Sequence, residues 1–316
     1  MKVTDGDAGL SRRRALALGG LAVGGLAAAS SPFVTSPAAQ AAESSGPLPV
    51  DQIEKILETP GMVMNGVLDI TQQRTDIHAT VFDRYPVLPP WALANEFAFE
   101  PTSGGAALNS ELTVLTEEIT PVIDALVPDG VEIMAVHNHL VATSPPIWYV
   151  HFKGFGDPVT LAQVSIRAVR RTGTPLPHRP PEHPATPLDV SALHHILGGT
   201  VMVEDQGVVE VDIPRRETIV VEGVVFKPEM HVRAELYFEP LGGHQAALHA
   251  ELATIASEEP VVIKALRAQG LIVTASHHHE TGERPQVYFV HAFGADTDVT
   301  LARCIAKVLD RMNLQR

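Results

Sequence analysis

Six histidines stand in two groups of three that repeat one spacing along the chain. Each histidine of the second group follows its counterpart by 140 residues. The first group is His137, His139 and His151, and the second is His277, His279 and His291. Neutral imidazoles bind zinc, copper, nickel and iron, and three protein ligands leave a coordination position for water or substrate. The spacing therefore predicts a divalent transition-metal site in each group, with zinc as the first choice.

The histidines can share an ion only if the backbone brings them to one point. Side chains two residues apart in a strand point to the same face, so His137 and His139 would emerge together. A hairpin centred on Ser144 would place His151 opposite His137 on the neighbouring strand. The same construction, centred on Arg284, applies to the second group. The imidazoles of each group would then converge.

Glutamates at matching positions can complete such a site, as a fourth ligand or as the general base of a metal-dependent hydrolase. Glu96 and Glu235 lie on a polar strand face and are the first candidates. Glu111 and Glu251 come next, because each keeps the same separation from its histidines in both copies. His249 stands near Glu251 where the first copy has an asparagine, and we interpret it as a rim residue of the second site.

Other interpretations of the histidines stay open. Histidine pairs at strand spacing also occur in proteins without a metal, and duplication alone can copy them. The imidazoles would also suit a pocket for an anionic ligand. A cupin barrel uses a His-x-His pair too, but the cupin glutamate and Pro-Gly strand are missing here. Zinc-protease, nucleophile-elbow, phosphate-loop and paired-cysteine motifs are absent from the sequence.

The whole segment around the histidines is duplicated. The stretch from Asn95 matches the stretch from Ala234, and both contain Phe-Glu-Pro. After a slip of one residue the offset of 140 holds as far as Val-Thr-Leu-Ala at 159–162 and 299–302. A proline-rich stretch separates the copies and interrupts any helix or central strand. We therefore predict a first module at 46–172, a linker at 173–186 and a second module at 187–314.

Each module combines helices and strands in the same order. An aspartate followed by apolar residues at helical spacing predicts an opening helix at 51–57 and 189–197. A second helix would be capped by Thr116 or Ser257, and a third would begin near 158 or 298. Alternating residues predict strands at 63–70, 92–99, 131–137, 147–151, 201–213, 218–226, 231–239, 271–277 and 286–291. The sequence thus indicates an α+β fold, a tandem duplication of a module with a mainly antiparallel sheet and two to three packed helices.

Composition and charge limit the partners. The chain has 316 residues, of which 45% are hydrophobic, and a formal net charge of −14. Such a length and composition allow a sizeable core. The negative charge repels nucleic acid and anionic membrane surfaces over about 10 Å. We therefore expect a small molecule or a component of the cell envelope as the partner, and no nucleic acid.

The N-terminal segment differs from the rest of the chain. Ser11 precedes three arginines, and an apolar run of small residues follows at 15–29. Small residues at 39–41 then offer a cleavage site. This pattern predicts a twin-arginine signal peptide at 1–41 and an extracytoplasmic or secreted product without stable membrane insertion. The single cysteine, Cys304, excludes an intrachain disulfide.

Three of these segments together resemble a family of exported bacterial proteins. They are the helix at 117–126, the strand Ala135-Val136-His137-Asn138-His139 and the aromatic strand Trp148-Tyr149-Val150-His151-Phe152. The combination resembles the LppY and LpqO family over most of both halves. That family is itself a domain of unknown function, so the resemblance implies an exported protein but names no reaction. The chain lacks the lipobox cysteine of the lipoprotein members, which argues against a membrane anchor.

Overall fold

The computed structural model describes residues 47–179, 185–278 and 280–316 of the chain. All of these residues belong to one compact unit. The predicted signal peptide at 1–41, part of the linker and His279 lie outside the described residues. No helix within the described ranges is long and apolar enough to cross a membrane.

Two modules repeat one order of helices and strands, except that a 3₁₀ turn at Pro228–Met230 takes the place of one short helix of the first module, and this confirms the prediction of a tandem α+β fold. The first module consists of α1 (Val50–Leu57), β1 (Met62–Met64), β2 (Val67–Gln73), β3 (Ala79–Val81), β4 (Tyr85–Val87), α2 (Pro89–Ala92), β5 (Ala94–Thr102), β6 (Gly105–Leu115), α3 (Ile119–Leu126), β7 (Glu132–His137), β8 (Thr143–Ser144), β9 (Ile147–Gly156) and α4 (Pro158–Val169). The second consists of α5 (Val190–Leu197), β10 (Thr200–Val203), β11 (Val209–Ile213), β12 (Ile219–Val221), β13 (Val224–Phe226), β14 (Ala234–Gly242), β15 (Gln245–Ile255), α6 (Glu259–Ala268), β16 (Ile272–His277), β17 (Glu283–Arg284), β18 (Val287–Thr297) and α7 (Asp298–Leu309).

Each module is built on a six-stranded sheet. In the described residues the strand order is β1-β2-β5-β6-β9-β7 in the first module and β10-β11-β14-β15-β18-β16 in the second. Neighbouring strands in both sheets are antiparallel. The central strands β6 and β15, which were not assigned from the sequence, connect the strands that carry the candidate glutamates and histidines.

Alternation along the central strands decides which face of each sheet meets the helices. On β6, Leu108 and Leu112 join the apolar core formed with α1, α3 and α4, whereas Asn109 and Glu111 lie on the opposite face. The opposite faces of the two sheets pack against each other, since residues of both modules share two further apolar clusters. The described part of the compact unit, residues 47–316, is therefore a stack of four layers, helices, sheet, sheet and helices. Polar side chains on the inner faces are enclosed between the modules.

Two small sheets tie the modules together. β3 pairs with β4 and β8, and β12 pairs with β13 and β17. In the first of these small sheets, the hairpin of β3 and β4 carries Phe82 and Tyr85. The centroids of their rings lie 5.4 and 5.3 Å from that of Phe293 in the second module. The second small sheet packs on the first module in the same way. Each module thus covers part of the other, which explains why the described chain forms one unit.

Three predicted strands are hairpins in the structure. The stretch 63–70 is divided into β1 and β2 by Asn65 and Gly66, whose φ angles are 49° and 84°. The stretches 201–213 and 218–226 are divided in the same way at Gln206-Gly207 and at Glu222-Gly223. Two successive residues with positive φ reverse the chain, and hydrophobic alternation alone does not detect the reversal.

The helix expected to be capped by Thr116 starts at Ile119 instead. The carboxylate of Glu118 accepts a hydrogen bond from the backbone N–H of Leu115, at 2.8 Å, and pairs with Arg74 at 2.9 Å. These contacts hold the chain in a short 3₁₀ turn before the α-helix begins. An equivalent glutamate and arginine occur in the second module.

Candidate metal centre

The histidines of the first module come from two adjacent strands and the segment that follows one of them. A β-bulge early in β7 sets the register, so that Ala135 lies opposite His151 and His137 lies opposite Tyr149. The expected pairing of His137 with His151 is therefore wrong by two residues. A displacement of two leaves the rings on the same face, because side chains alternate with a period of two. The second module repeats this register.

The described histidines of the two groups meet between the modules. The possible ligand atoms of His137, His139 and His151 lie within 4.8 Å of one another, and the same is true of His139, His277 and His291. His139 belongs to both groups. The ring centroids of His137 and His277 are 3.7 Å apart, and those of His139 and His291 are 4.0 Å apart. These five imidazoles form one histidine cluster, where the sequence had predicted one site in each module.

Burial keeps the imidazoles of the histidine cluster neutral at pH 7. His139, His151 and His291 are almost fully buried. Burial, together with the neighbouring histidines, holds the pKa of each of these three rings well below its usual range. Burial also lowers the pKa of His137 to about 4 and, helped by His137, that of His277 to about 3. The neutral imidazole is the form that binds a metal ion.

Two glutamates, Glu111 and Glu251, lie directly beside the histidine cluster. The strand register places Glu111 opposite His151 and Glu251 opposite His291. Oε2 of Glu111 is 3.1 Å from Nε2 of His151 and 3.6 Å from Nε2 of His139. Oε2 of Glu251 is 3.9 Å from Nδ1 of His139 and 3.8 Å from Nδ1 of His291. At these distances the two carboxylates can orient the rings or hold a proton next to them.

Glu96 and Glu235, the first candidates for a fourth ligand or general base, contact a different group. Each lies one strand further from the histidines, opposite Glu111 or Glu251. Oε2 of Glu96 is 3.5 Å and Oε1 of Glu235 is 3.2 Å from Nδ1 of His231. The strand register therefore brings the second-ranked pair of glutamates to the cluster and directs the first-ranked pair to His231.

The glutamates between the sheets differ in charge state. Burial and the neighbouring carboxylates raise the pKa of Glu111 well above its usual range, and burial raises that of Glu96 to about 7. Burial alone would also raise the pKa of Glu235, but Arg233 and the hydrogen-bonded His231 lower it to about 2. Local bases therefore hold Glu235 as a carboxylate. A cation nearby would favour the ionised form of Glu96 and Glu111.

Two basic residues of this region, His231 and Arg233, were not predicted. The equivalent positions of the first module hold Ala92 and Ala94, so comparison of the two copies gave no signal. The alternation His-x-Arg-x-Glu at the start of β14 is the one indication that the sequence offered. Nη2 of Arg233 lies 2.9 Å from the carboxylate of Glu235, an ion pair that only the folded chain reveals.

His249 is part of a series of hydrogen bonds that ends at the histidine cluster, and it also lines a small void beside His139. Its Nδ1 lies 3.2 Å from the carbonyl oxygen of Trp91, and its Nε2 lies 3.3 Å from Nδ1 of His291. A carbonyl oxygen only accepts, so Nδ1 of a neutral His249 carries the hydrogen, and Nε2 accepts the hydrogen of His291. His291 then keeps a lone pair on Nε2, which has no hydrogen-bond partner among the described residues. These hydrogen bonds therefore leave Nε2 as the nitrogen with which His291 can bind an ion.

Space for a ligand beside the histidines is small. One void of about 20 Å³ is lined by His139, Tyr149 and Tyr237 among others. A second void of about 20 Å³ is lined by His151, Glu111 and their neighbours. Each has room for about one water molecule. These two voids can therefore hold solvent next to the rings.

A known family matches most of the chain that the structure describes. The family described as Domain of Unknown Function (DUF1259) matches residues 51–171 and again residues 191–311. The chain belongs to this family. The two matches begin 140 residues apart, as the internal repeat predicts, and they contain the histidine cluster of this DUF1259 protein. No curated protein matches the chain.

Proposed function

We propose that this DUF1259 protein binds a divalent transition-metal ion between its two modules. The histidine cluster carries the proposal, because five imidazoles from both modules meet at one buried point. Zinc is the first choice, and copper, nickel or iron accept the same ligands. Since each module contributes ligands, the ion would also join the two halves of the molecule.

The donor atoms suit such an ion. Nε2 of His139 and Nε2 of His291 are buried and have no hydrogen-bond partner among the described residues. Buried polar nitrogens without a partner are costly, and a metal ion would satisfy them. Tetrahedral zinc with bonds of about 2.1 Å holds its nitrogens about 3.4 Å apart. The ligand atoms of each group already lie within 4.8 Å, so small rotations of the rings would complete the coordination.

Elemental analysis of protein purified without a histidine tag tests the proposal. The wild-type protein should retain at least one metal ion per chain, and His137→Ala/His277→Ala should lose most of it. His194→Ala/His195→Ala is the matched control, because it removes two exposed histidines from α5 and should keep the metal. Equal metal content in the wild-type protein and the cluster variant would refute the proposal.

A second candidate function is metal-dependent hydrolysis, favoured by the position of Glu111 beside two rings of the cluster. A bound metal ion supplies a more acidic water molecule, and Glu111 would hold the proton that this water releases. Hydrolysis of small esters and phosphoesters by the metal-loaded protein, compared with Glu111→Gln, tests this role. A non-catalytic ligand-binding or metal-sequestering protein would keep its metal and show no turnover in the wild type.

We also propose that the protein is exported by the twin-arginine route, like the LppY and LpqO proteins that it resembles. The arginine pair Arg12-Arg13 before an apolar run supports this proposal. The expected mature protein begins near Ala42, stays out of the membrane and meets a small molecule or a component of the cell envelope. Arg12→Lys/Arg13→Lys should leave an unprocessed protein in the cytoplasm, which fractionation and N-terminal sequencing would detect. Normal processing of that variant would contradict this route.

A further inference from the structure

A larger cavity lies between the modules, at the sheet edges that are remote from β7 and β16. It has a volume of about 360 Å³ and is lined by residues of β1, β2 and β5 in the first module and of β10, β11 and β14 in the second. We call it the edge cavity. Small-molecule sites usually occupy about 300–1,000 Å³, so its size suits a small ligand.

Equivalent residues of the two modules face the edge cavity. Met62 lies opposite Asp69 in the hairpin of β1 and β2, and Met202 lies opposite Glu210 in the hairpin of β10 and β11. All four residues line the cavity, and Met64 adds a third thioether. The wall thus combines flexible apolar side chains with carboxylates contributed by both modules.

The carboxylates in the wall of the edge cavity outnumber its bases. The acidic residues that line it are Asp69, Glu96, Glu204, Asp205 and Glu210, and the basic ones are His231 and Arg233. His178 also lines the cavity, but burial lowers its pKa, so it is neutral at pH 7. Burial raises the pKa of Glu96 to about 7 and also raises the pKa of Glu204 and Glu210, so a cation bound beside these carboxyls would favour their ionised form.

Both bases are already engaged by carboxylates of the protein. Nη2 of Arg233 lies 3.0 Å from Asp212 and 2.9 Å from Glu235. The ring of His231 lies between Glu235, at 3.2 Å, and Asp69, at 3.7 Å. Neither base is left over for an anionic ligand. Oδ1 of Asp69 is the atom that faces His231, and at 3.7 Å it is too far from that ring for a hydrogen bond. A cation is therefore a better match for the wall than an anion.

We propose that the edge cavity binds a small aliphatic amine, with its ammonium group on the carboxylates and its hydrocarbon chain on the methionines. An ammonium group donates three hydrogen bonds, which the carboxylates can accept. The thioether side chains give apolar contact to methylene groups, which a hydrated metal cation could not use. The edge cavity does not include the histidine cluster, so this proposal stands apart from the metal proposal.

Isothermal titration calorimetry of chelator-treated protein with 1,4-diaminobutane tests the proposal. 1,4-Butanediol and succinate are the neutral and anionic probes of similar length. Met62→Lys places a positive charge at the mouth of the cavity and should weaken diamine binding by about tenfold or more. Val63→Lys is the matched control: Val63 is 55% exposed and Met62 is 54% exposed, but only Met62 lines the cavity. The control should bind like the wild type.

Asp69→Asn removes a carboxylate inside the cavity and should also weaken diamine binding. The test therefore does not depend on Met62→Lys alone. The metal-deficient His137→Ala/His277→Ala protein should bind the diamine as well as the wild type, so failure of the metal proposal would leave this result unchanged. The proposal is overturned if the wild type does not bind the diamine, if Met62→Lys binds it undiminished, or if succinate or Ca²⁺ binds in its place.

Discussion

Replacement of Glu239 by glutamine should remove a large part of the pH dependence of stability. Glu239 is fully buried on the inner face of β14. Its Oε2 accepts a hydrogen bond from the backbone N–H of Leu88 at 3.0 Å, and its Oε1 has no hydrogen-bond partner among the described residues. Burial raises the pKa of Glu239 to about 8, although the bond from Leu88 acts in the opposite direction. The folded protein therefore holds this side chain as a neutral acid at pH 7.

The sign and size of the effect follow from the two pKa values of Glu239. A folded-state pKa near 8, against about 4.5 in the unfolded chain, means that the folded state binds more protons between these pH values. The stabilisation is complete below pH 4.5 and is lost as the pH rises through 8. With about 1.4 kcal/mol per pKa unit, Glu239 lowers the free energy of unfolding by roughly 2.5 kcal/mol between pH 5 and pH 7. That corresponds to roughly 5 °C or more in Tm.

Thermal unfolding of the wild type and Glu239→Gln, in the presence of a chelator, measures this difference. The two proteins should have similar Tm values at pH 5, and the variant should become more stable than the wild type as the pH rises to 8. Glutamine keeps the size of the side chain and cannot ionise, so the difference between the curves reports Glu239 alone. Parallel curves from pH 5 to pH 8 would show that this carboxyl is not held neutral by the fold.

Two further predictions concern the ligand geometry and the buried ion pairs. His249→Asn breaks the hydrogen bonds that connect Trp91 to His291, and it gives the second module the residue that the first has at position 109. Metal affinity, measured by competition with a chelator, should fall by about 10–100-fold. The control His244→Asn alters an exposed ring and should leave the metal affinity unchanged. Arg74→Leu leaves the carboxylates of Asp76 and Glu118 without their cation and should lower the free energy of unfolding in urea by about 3–5 kcal/mol. Arg167→Leu, at an exposed pair with Asp129, should lower it by about 1 kcal/mol or less. Unchanged affinity in the first case, or equal costs in the second, would contradict the reasoning.

Local patterns predicted much of each module. The last helices begin at Pro158 and Asp298 as expected, because a capping side chain precedes each one and apolar residues follow at helical spacing. The strands that end at His137 and His277 were also predicted, from the residue pattern at 131–137 and 271–277. The hairpin turns were missed where a short turn with positive φ interrupts one continuous apolar pattern.

The sequence by itself determined the repeated α+β module, the face on which His137 and His277 lie and the match between the two copies. These features depend on periodicity, which a single strand or helix expresses without its neighbours. Two separate sites were the natural expectation, because each copy contains a complete set of three histidines.

Only the tertiary structure decided that the described histidines of the two sets meet. The helices cover one face of each sheet, so the polar inner faces must pack on each other, and this brings His137 to His277 and His139 to His291. The register between strands then decided that Glu111 and Glu251 reach the rings. Contacts between residues more than 100 positions apart depend on how whole sheets pack, and no local pattern in the sequence encodes that distance.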